Sequence, residues 1–424
     1  RFNPSTLQPL NASMYPHRMR LHGPWQFEPL ARTVVHPDGR IEEVSGPLPK
    51  PSCMMVPKNW TGTPLDGFRG RVRWRRRFHA PRALEPDEQL WLVFDGVDYF
   101  ADVSLNGTPL GRHEGYFERF EFEVTSLVGP RNELVVEVDC PAESDPQYKR
   151  LIRGSLETAF PSFVGGLWQE VALEVRSVAF FRDVIILTEM LGSRGLVHVT
   201  GRVVGNPATA LSIDLSLQGA VVTRQKLTAS PAGSPFRFDS AIESAEVWFP
   251  GSLGDHDSYT LRLELHGNAR TLDERLEEIG FLGLQMDPSL EGAEWKGSPT
   301  PVQSLDIELA HDPLENEKDE NMVRIVRTWT RRGQAVLWRT AGRVFGIRFY
   351  HGTDALRFSL LQGFPLCGGY SADPAFRTEA VRQAAAMVRQ LAHHPSIALW
   401  SCHADPSEHD RELDLAVWAA IAQI

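Results

Sequence analysis

The stretch Ser401-Cys402-His403-Ala404-Asp405-Pro406 places a thiol, an imidazole and a carboxylate within four residues of one another. It directly follows the apolar run Ser396-Ile397-Ala398-Leu399-Trp400. A carboxylic acid at a strand end is a candidate general acid. Asp405 also reads as a cap or turn residue, because Asp-Pro-Ser favours turns and helix starts. Both readings stay open. His393-His394 suggests metal ligation, but adjacent residues point differently in a helix or a strand. The pair therefore reads as a helix end before Pro395, with one histidine in the core. His403 and His409 with Asp405 are the other metal reading; no metal and no cofactor are expected. The chain has neither a Gly-Lys-Ser/Thr phosphate loop nor a Gly-x-Ser-x-Gly elbow. Cys53, Cys140, Cys367 and Cys402 lie far apart and lack metal-finger or redox spacing, so they read as free, mostly buried thiols.

The scaffold holding these groups is a chain of 424 residues, 42% hydrophobic and 23% charged, with a net charge of −10. That length and balance predict a folded chain of two to four domains and exclude a disordered one. The acidic surplus argues against a general nucleic-acid or membrane-surface binder. Arg69, Arg71, Arg73, Arg75, Arg76 and Arg77 are a local exception. In a strand the odd-numbered members share one face, which reads as solvated. No uncharged apolar run reaches the roughly 18–20 residues of a membrane helix. The chain opens Arg1-Phe2-Asn3-Pro4 without a charged-then-apolar leader, which leaves the compartment open between cytoplasm, periplasm and exterior.

Residues 1–176 read as all-β. Gln89–Phe94, Ala101–Leu105, Gly115–Val124 and Asn132–Val138 alternate apolar with polar, and Asn106-Gly107 is a hairpin turn signal. Many short antiparallel strands of this kind predict a jelly-roll sandwich. Over 177–286, Phe180–Leu187, Leu196–Val204, Ala210–Leu217, Ser244–Phe249 and Tyr259–His266 are spaced as in an immunoglobulin-like sandwich. Glu291 to Glu320 is polar and reads as a loop. Beyond it Phe376, Ala380, Ala384, Met387, Val388 and Leu391 fall on one helical face, and Pro374 fits the helix start. Ser396–Trp400 reads as a buried strand and Glu412–Ile421 as a helix, so 287–424 alternates in βα units. Trp25, Trp60, Trp74, Trp91 and Trp168 read as sandwich core rather than as sugar-stacking platforms.

The motifs together resemble glycoside hydrolase family 2. His393-His394-Pro395-Ser396-Ile397-Ala398-Leu399-Trp400 is similar to that family's fourth barrel-strand signature, and Leu361-Gln362-Gly363-Phe364-Pro365-Leu366 to the motif before it. Gly165-Gly166-Leu167-Trp168-Gln169-Glu170-Val171, Val103-Ser104-Leu105-Asn106-Gly107 and Ile279-Gly280-Phe281 match further family motifs in the same order. The resemblance implies a jelly-roll sugar-binding domain (1–176), an immunoglobulin-like sandwich (177–286) and a (β/α)₈ barrel begun over 287–424. It implies retaining hydrolysis of terminal β-linked sugars by two carboxylates about 5–5.5 Å apart. Asp405 then stands at the acid/base position, and Arg348, His351, His403 and Trp400 are the substrate-binding candidates. Arg348 matches a pocket arginine that follows a barrel strand, and His351 becomes a pocket histidine; a solvated strand-end arginine is the alternative.

Several positions depart from the family. Ala404-Asp405 replaces Asn-Glu, Gly363 stands where relatives carry Asp, and Leu282 and Gln169 replace arginines. A carboxylate shortened by one methylene is misplaced by about 1 Å, enough to cost on the order of 10²-fold in rate. The 138 residues from 287 to 424 fall short of the roughly 250 of a full barrel. The expectation is a partial barrel whose nucleophile is absent from this chain. The alternative is a catalytically impaired carbohydrate-binding protein. Half a barrel leaves apolar surface for a second copy to cover, so a homo-oligomer is also expected.

Overall fold

The computed structural model describes residues 16–424 except 37–40, 59, 61, 81–83, 141–164, 206–209, 249–257, 268–269, 283, 287–292, 296–302, 307–335, 341, 343, 367–373 and 403–409. Over 17–177 two antiparallel sheets face each other. In one, His17–Arg20, Val171–Ser177, Glu88–Phe94 and Phe120–Glu123 lie side by side. In the other, Gly70–Phe78 is central, flanked by Gly23–Val35 and Asn132–Cys140. Strand alternation builds the shared core: Val72 and Trp74 from one sheet meet Leu92 and Phe94 from the other. The outward residues of Gly70–Phe78 are the odd-numbered arginines, paired as the solvated-strand reading requires. Arg71 meets Glu43 at 3.2 Å, Arg73 meets Glu137 at 2.7 Å and Arg77 meets Glu133 at 3.1 Å. Such exposed pairs stabilise little, and the core carries the sheet. Asn106 and Gly107 close a hairpin with φ of 52° and 81°, the left-handed pair that Asn-Gly tolerates.

Two more sheets span 179–282. Ala179–Leu191, Arg194–Gly205 and Ser234–Ile242 form one. Ala220–Leu227, Leu211–Leu217, Ser258–Gly267, Arg270–Leu282 and Val247–Trp248 form the other. Ala220–Leu227, Ser234–Ile242 and Arg270–Leu282 were not among the predicted strands. Arg270–Leu282 carries Asp273, Glu274, Glu277 and Glu278, which obscure its alternation, yet it buries Leu272, Ile279 and Phe281. The predicted Ser244–Phe249 shortens to Val247–Trp248, paired in parallel with Phe281 and Leu282.

In the last part, Gln303–Asp306, Val336–Arg339, Ser359–Gly363 and Ile397–Ser401 pair in parallel and in chain order. The polar stretch read as a loop therefore contains the first of these strands, as well as Ala293–Trp295, which pairs with Leu284–Met286. The sheet is open among the described residues. Helices α1 (Ile347–Ala355), α2 (Pro374–Leu391) and α3 (Arg411–Ile421) accompany it. All six residues predicted for the apolar face of α2 are buried. Asp410 caps α3, accepting from the backbone N–H groups of Glu412 and Leu413 at 2.9 and 3.1 Å. Ile397–Ser401 is an edge strand among the described residues, so only Ile397 is buried where a fully buried strand was expected.

The first and last parts share one core. Tyr99, Tyr116, Phe117 and Trp168 cluster with α2 and the parallel strands. This is why Gly115 to Arg119 is not strand despite its alternation. Gly115 takes φ 141°, and Tyr116 turns to stack on Trp168 at 4.6 Å, accepting the indole N–H at 2.9 Å. No helix among the described residues is long and apolar enough to cross a membrane.

Candidate active site

The parallel strands point their C-terminal ends at a rim made by Thr340, Gly363, Phe364, Trp400, Ser401 and Cys402. Gln362 fixes the rim from beneath. It is fully buried, accepts from the Tyr350 hydroxyl at 2.9 Å, and donates to Thr340 Oγ1 at 3.0 Å and the Gly363 carbonyl at 2.8 Å. The Gly363 N–H also reaches Thr340 Oγ1, at 3.1 Å. A buried amide satisfied on both sides holds two strand ends and α1 in one geometry. Phe364 donates its N–H to the Ser401 carbonyl at 2.9 Å and stacks on Trp400, ring centroids 5.5 Å apart. Trp400 is half-buried. Cys402 is not a nucleophile here. Burial, then the neighbouring Asp414, push its thiol up to about 12, so it stays protonated at neutral pH.

Asp405 and His403 follow within four residues of Ser401 but lie outside the described residues. Arg348 is the second residue of α1, in a helix rather than in the strand–helix connection the resemblance implied. His351, expected in the substrate pocket, sits elsewhere. Its ring lies 5.1 Å from that of His394, which precedes the strand Ile397–Ser401. His351 and Trp400 are thus at opposite ends of that strand, separated along it by about 13 Å at ~3.3 Å per residue.

The His351 end has its own chemistry. Asp354 accepts from His394 Nδ1 at 2.6 Å and from the Ser396 N–H at 3.0 Å. Both His393 and His394 are buried, where one core histidine was expected. Burial, reinforced by His393, lowers His394 to about 4, so its imidazole is neutral at pH 7. Burial also lowers His351. Burial alone would raise Glu277, but Arg275 and His393, 3.4 Å away, hold it well below the usual carboxylate range. Ligand atoms of His351, Asp354 and His394 fall within 4.8 Å of one another. Sequence reasoning missed this cluster because residues 277, 351, 354, 393 and 394 come together only through the packing of three elements.

A cleft of about 1320 Å³ runs past this cluster, between all three parts of the chain. Trp91, Arg176, Arg182, Glu277, His351 and His393 are on its wall, and Trp400 is not. The wall charges are mutually satisfied. Glu174 accepts from Arg18 at 2.6 Å, Arg119 at 2.8 Å and Arg176 at 2.6 Å; burial opposes its charge, and these arginines still hold it at about 2. Arg176 and Arg182 lie over the Trp91 ring at 4.9 and 5.1 Å, which occupies the face a sugar would use. Trp25, Trp60, Trp74 and Trp168 are buried, as the core reading expected. Of the described cysteines Cys140 and Cys402 are buried and Cys53 is exposed.

Comparison with known proteins places the fold. The family model described as a glycosyl hydrolase 2 galactose-binding domain-like domain matches residues 69–163. Beta-mannosidase B of Thermothelomyces thermophilus is 26% identical over 370 residues, covering 78% of this chain and 43% of that protein. Beta-mannosidase B of Emericella nidulans is 22% identical over 422 residues, covering 89% and 48%. The Bifidobacterium dentium β-glucuronidase complexed with coumarin-3-O-glucuronide superposes with a TM-score of 0.70 at 22% identity, covering 92% of this chain and 68% of that one. The Dictyoglomus thermophilum β-D-mannosidase gives 0.69 at 20%, covering 90% and 52%. In sequence and in fold the chain is similar to glycoside hydrolase family 2 proteins. It has the mostly-β, multidomain build of this family's enzymes, and it spans about half the length of the curated family 2 relatives it matches.

Proposed function

We propose that this chain is part of a retaining family 2 β-glycosidase acting on terminal β-linked pyranosides, β-mannosides first. On this reading 1–176 is a jelly-roll sugar-binding domain, 177–286 an immunoglobulin-like sandwich and 287–424 the opening of a (β/α)₈ barrel. The observation that carries it is the set of four parallel strands in chain order, the last three ending at Arg339, Gly363 and Ser401, the last of these four residues before Asp405 in sequence. Barrel chemistry sits at strand C-termini. The choice of β-mannoside rests on the two curated relatives named above, both called beta-mannosidase B.

In this mechanism Asp405 protonates the glycosidic oxygen as the bond breaks. A second carboxylate, about 5–5.5 Å away, attacks the anomeric carbon; water then releases the sugar with Asp405 acting as base. None of the four parallel strands is assigned that second carboxylate. This reading assigns contacts with the sugar to Trp400, His403 and Arg348. His351 is not assigned to this site. Ala404-Asp405 in place of Asn-Glu favours a second reading, a carbohydrate-binding protein with impaired catalysis.

The full gene product assayed on nitrophenyl β-mannoside, β-glucuronide and β-galactoside, beside Asp405→Asn, tests both readings. The expected result is β-mannoside turnover that falls at least about 100-fold in the variant. Turnover equal in both proteins would remove Asp405 from the mechanism. No turnover in either, with sugar binding by calorimetry, would establish the second reading.

A further inference from the structure

We propose that Asp354 is a positioning residue for the strand-end rim: it pins the start of the strand Ile397–Ser401 and, through that strand, sets where Trp400 and Ser401 stand. Asp354 lies in the last turn of α1. Its two oxygens accept from two residues just ahead of the strand. Oδ2 accepts from His394 Nδ1 at 2.6 Å, and Oδ1 accepts from the Ser396 N–H at 3.0 Å. A carboxylate only accepts, so Nδ1 carries the ring proton of the neutral His394. Both oxygens are engaged inside the protein, which makes this cluster an anchor rather than a metal site. Ser396 is fully buried, and each of its polar groups is held. Asp354 takes its N–H, Thr353 Oγ1 meets its hydroxyl at 2.9 Å, and the Leu360 N–H donates to its carbonyl at 2.7 Å. The Thr353 hydroxyl itself donates to the Tyr350 carbonyl at 2.8 Å, so Ser396 is the donor between the two hydroxyls. A buried network with every member satisfied holds one geometry.

The same helix reaches the rim. Tyr350, one turn before Asp354, packs its ring on His394 with centroids 5.5 Å apart and donates its hydroxyl to Gln362 at 2.9 Å. Gln362 in turn holds Thr340 and Gly363. One helix thus ties the start of Ile397–Ser401 to the end of the neighbouring strand Ser359–Gly363 and fixes the stagger between them. From Ser396 to Ser401 the strand spans about 16 Å at ~3.3 Å per residue, so a slip at its start is carried to its end. There the Phe364 N–H must meet the Ser401 carbonyl and its ring must meet Trp400. Only a carboxylate accepts on both atoms. In Asp354→Asn an NH₂ group faces either the His394 N–H or the Ser396 N–H, and one anchor is lost. The catalytic consequence rests on the glycosidase reading: displacing a reacting group by about 1 Å costs on the order of 10²-fold in rate.

The test compares the full gene product with its Asp354→Asn variant at a temperature where circular dichroism shows both folded. In hydrogen exchange followed by mass spectrometry, peptides covering Ile397–Ser401 should exchange at least about 10-fold faster in the variant, while Gly70–Phe78 and Arg194–Gly205 exchange as in the parent. On nitrophenyl β-mannoside, kcat should fall about 10- to 100-fold with KM within about 3-fold of the parent. Two further variants separate the hydrogen bond from packing. His394→Asn keeps an amide N–H toward Asp354 and should retain the slow exchange and the turnover. His394→Phe keeps a ring without the donor and should behave as Asp354→Asn does. Exchange over Ile397–Ser401 unchanged in Asp354→Asn, or raised equally in every strand, would overturn the anchor. So would His394→Phe matching the parent while His394→Asn does not. A full gene product without turnover would count against the glycosidase reading alone, because the exchange measurement still decides whether Asp354 holds the strand.

Discussion

At the scale of single residues, the buried histidine sets a pH dependence of stability. His394 is held neutral down to about pH 4, whereas in the unfolded chain it protonates near 6.5. Between those values the unfolded chain binds more protons, so this group's stabilisation is complete above about 6.5 and is lost as pH falls toward 4. The difference is worth about 3 kcal/mol. His113, lowered to about 4 by burial and Arg382, pulls the same way. Asp273 pulls oppositely: burial raises it to about 7, so its contribution is lost as pH rises from near 3.8 through 7. Urea unfolding with chelator present, at pH 4.5 and 6.5, should show the parent losing more stability on acidification than His394→Gln does. Equal losses would mean that the titration of His394 is not linked to folding. Gln362 makes a second case. Gln362→Leu keeps the volume but removes the acceptor of the buried Tyr350 hydroxyl and one donor to Thr340 Oγ1, which should cost about 2–4 kcal/mol in the same assay. A loss below 1 kcal/mol would show that the rim does not depend on this network.

At the scale of elements, two glycines separate backbone strain from packing. Gly107 has φ 81° with nothing within 4 Å of an added Cβ, so Gly107→Ala should cost only the left-handed penalty, about 1–2 kcal/mol. Gly166 has a similar φ of 73°, but its Cβ would sit 2.4 Å from Trp60 Nε1 inside the core. Gly166→Ala should therefore lose at least 2 kcal/mol more than Gly107→Ala by thermal or urea unfolding, and equal losses would contradict the packing argument. The same contrast explains what could be read from the residues in advance. Asn106-Gly107 and the apolar stripe of α2 are local signals, satisfied within one turn or one helix face, and both were legible. The alternating Gly115–Arg119 failed as a strand because Tyr116 gains more by stacking on Trp168, a partner 52 residues away in sequence. Arg270–Leu282 escaped notice because its four acids break the apolar alternation and find partners mostly on other elements: Asp273 accepts from the Phe181 N–H, Glu274 pairs with Arg262, Glu277 with His393 and Glu278 with Thr260. The strand-end rim could be inferred from motif order, whereas the His351–Asp354–His394 cluster could not, since nothing in sequence spacing joins Asp354 on α1 to His394, 40 residues on in the turn after α2.

At the scale of the whole molecule, the sandwich at the start of the chain and the parallel sheet at its end are one cooperative body because they share a core. Trp168 is its hinge point: it is buried, stacked on Tyr116, and clustered with the residues that line α2. Polar contacts surround that contact. Gln383 Nε2 donates to the Tyr99 hydroxyl at 3.2 Å, and Arg382 bonds Glu118 at 2.5 Å and Glu379 at 2.6 Å. An exposed ion pair contributes at most about 1 kcal/mol, while truncating a buried tryptophan costs about 3–5. The aromatic contact should therefore decide whether the two parts unfold together. In Trp168→Ala, unfolding followed by far-ultraviolet circular dichroism should separate into two transitions, with the helix-rich part melting first. In Arg382→Ala a single transition should persist with its midpoint barely moved. The reverse pattern, coupling lost with Arg382 and kept without Trp168, would show that charge rather than apolar packing holds the parallel sheet against the sandwich.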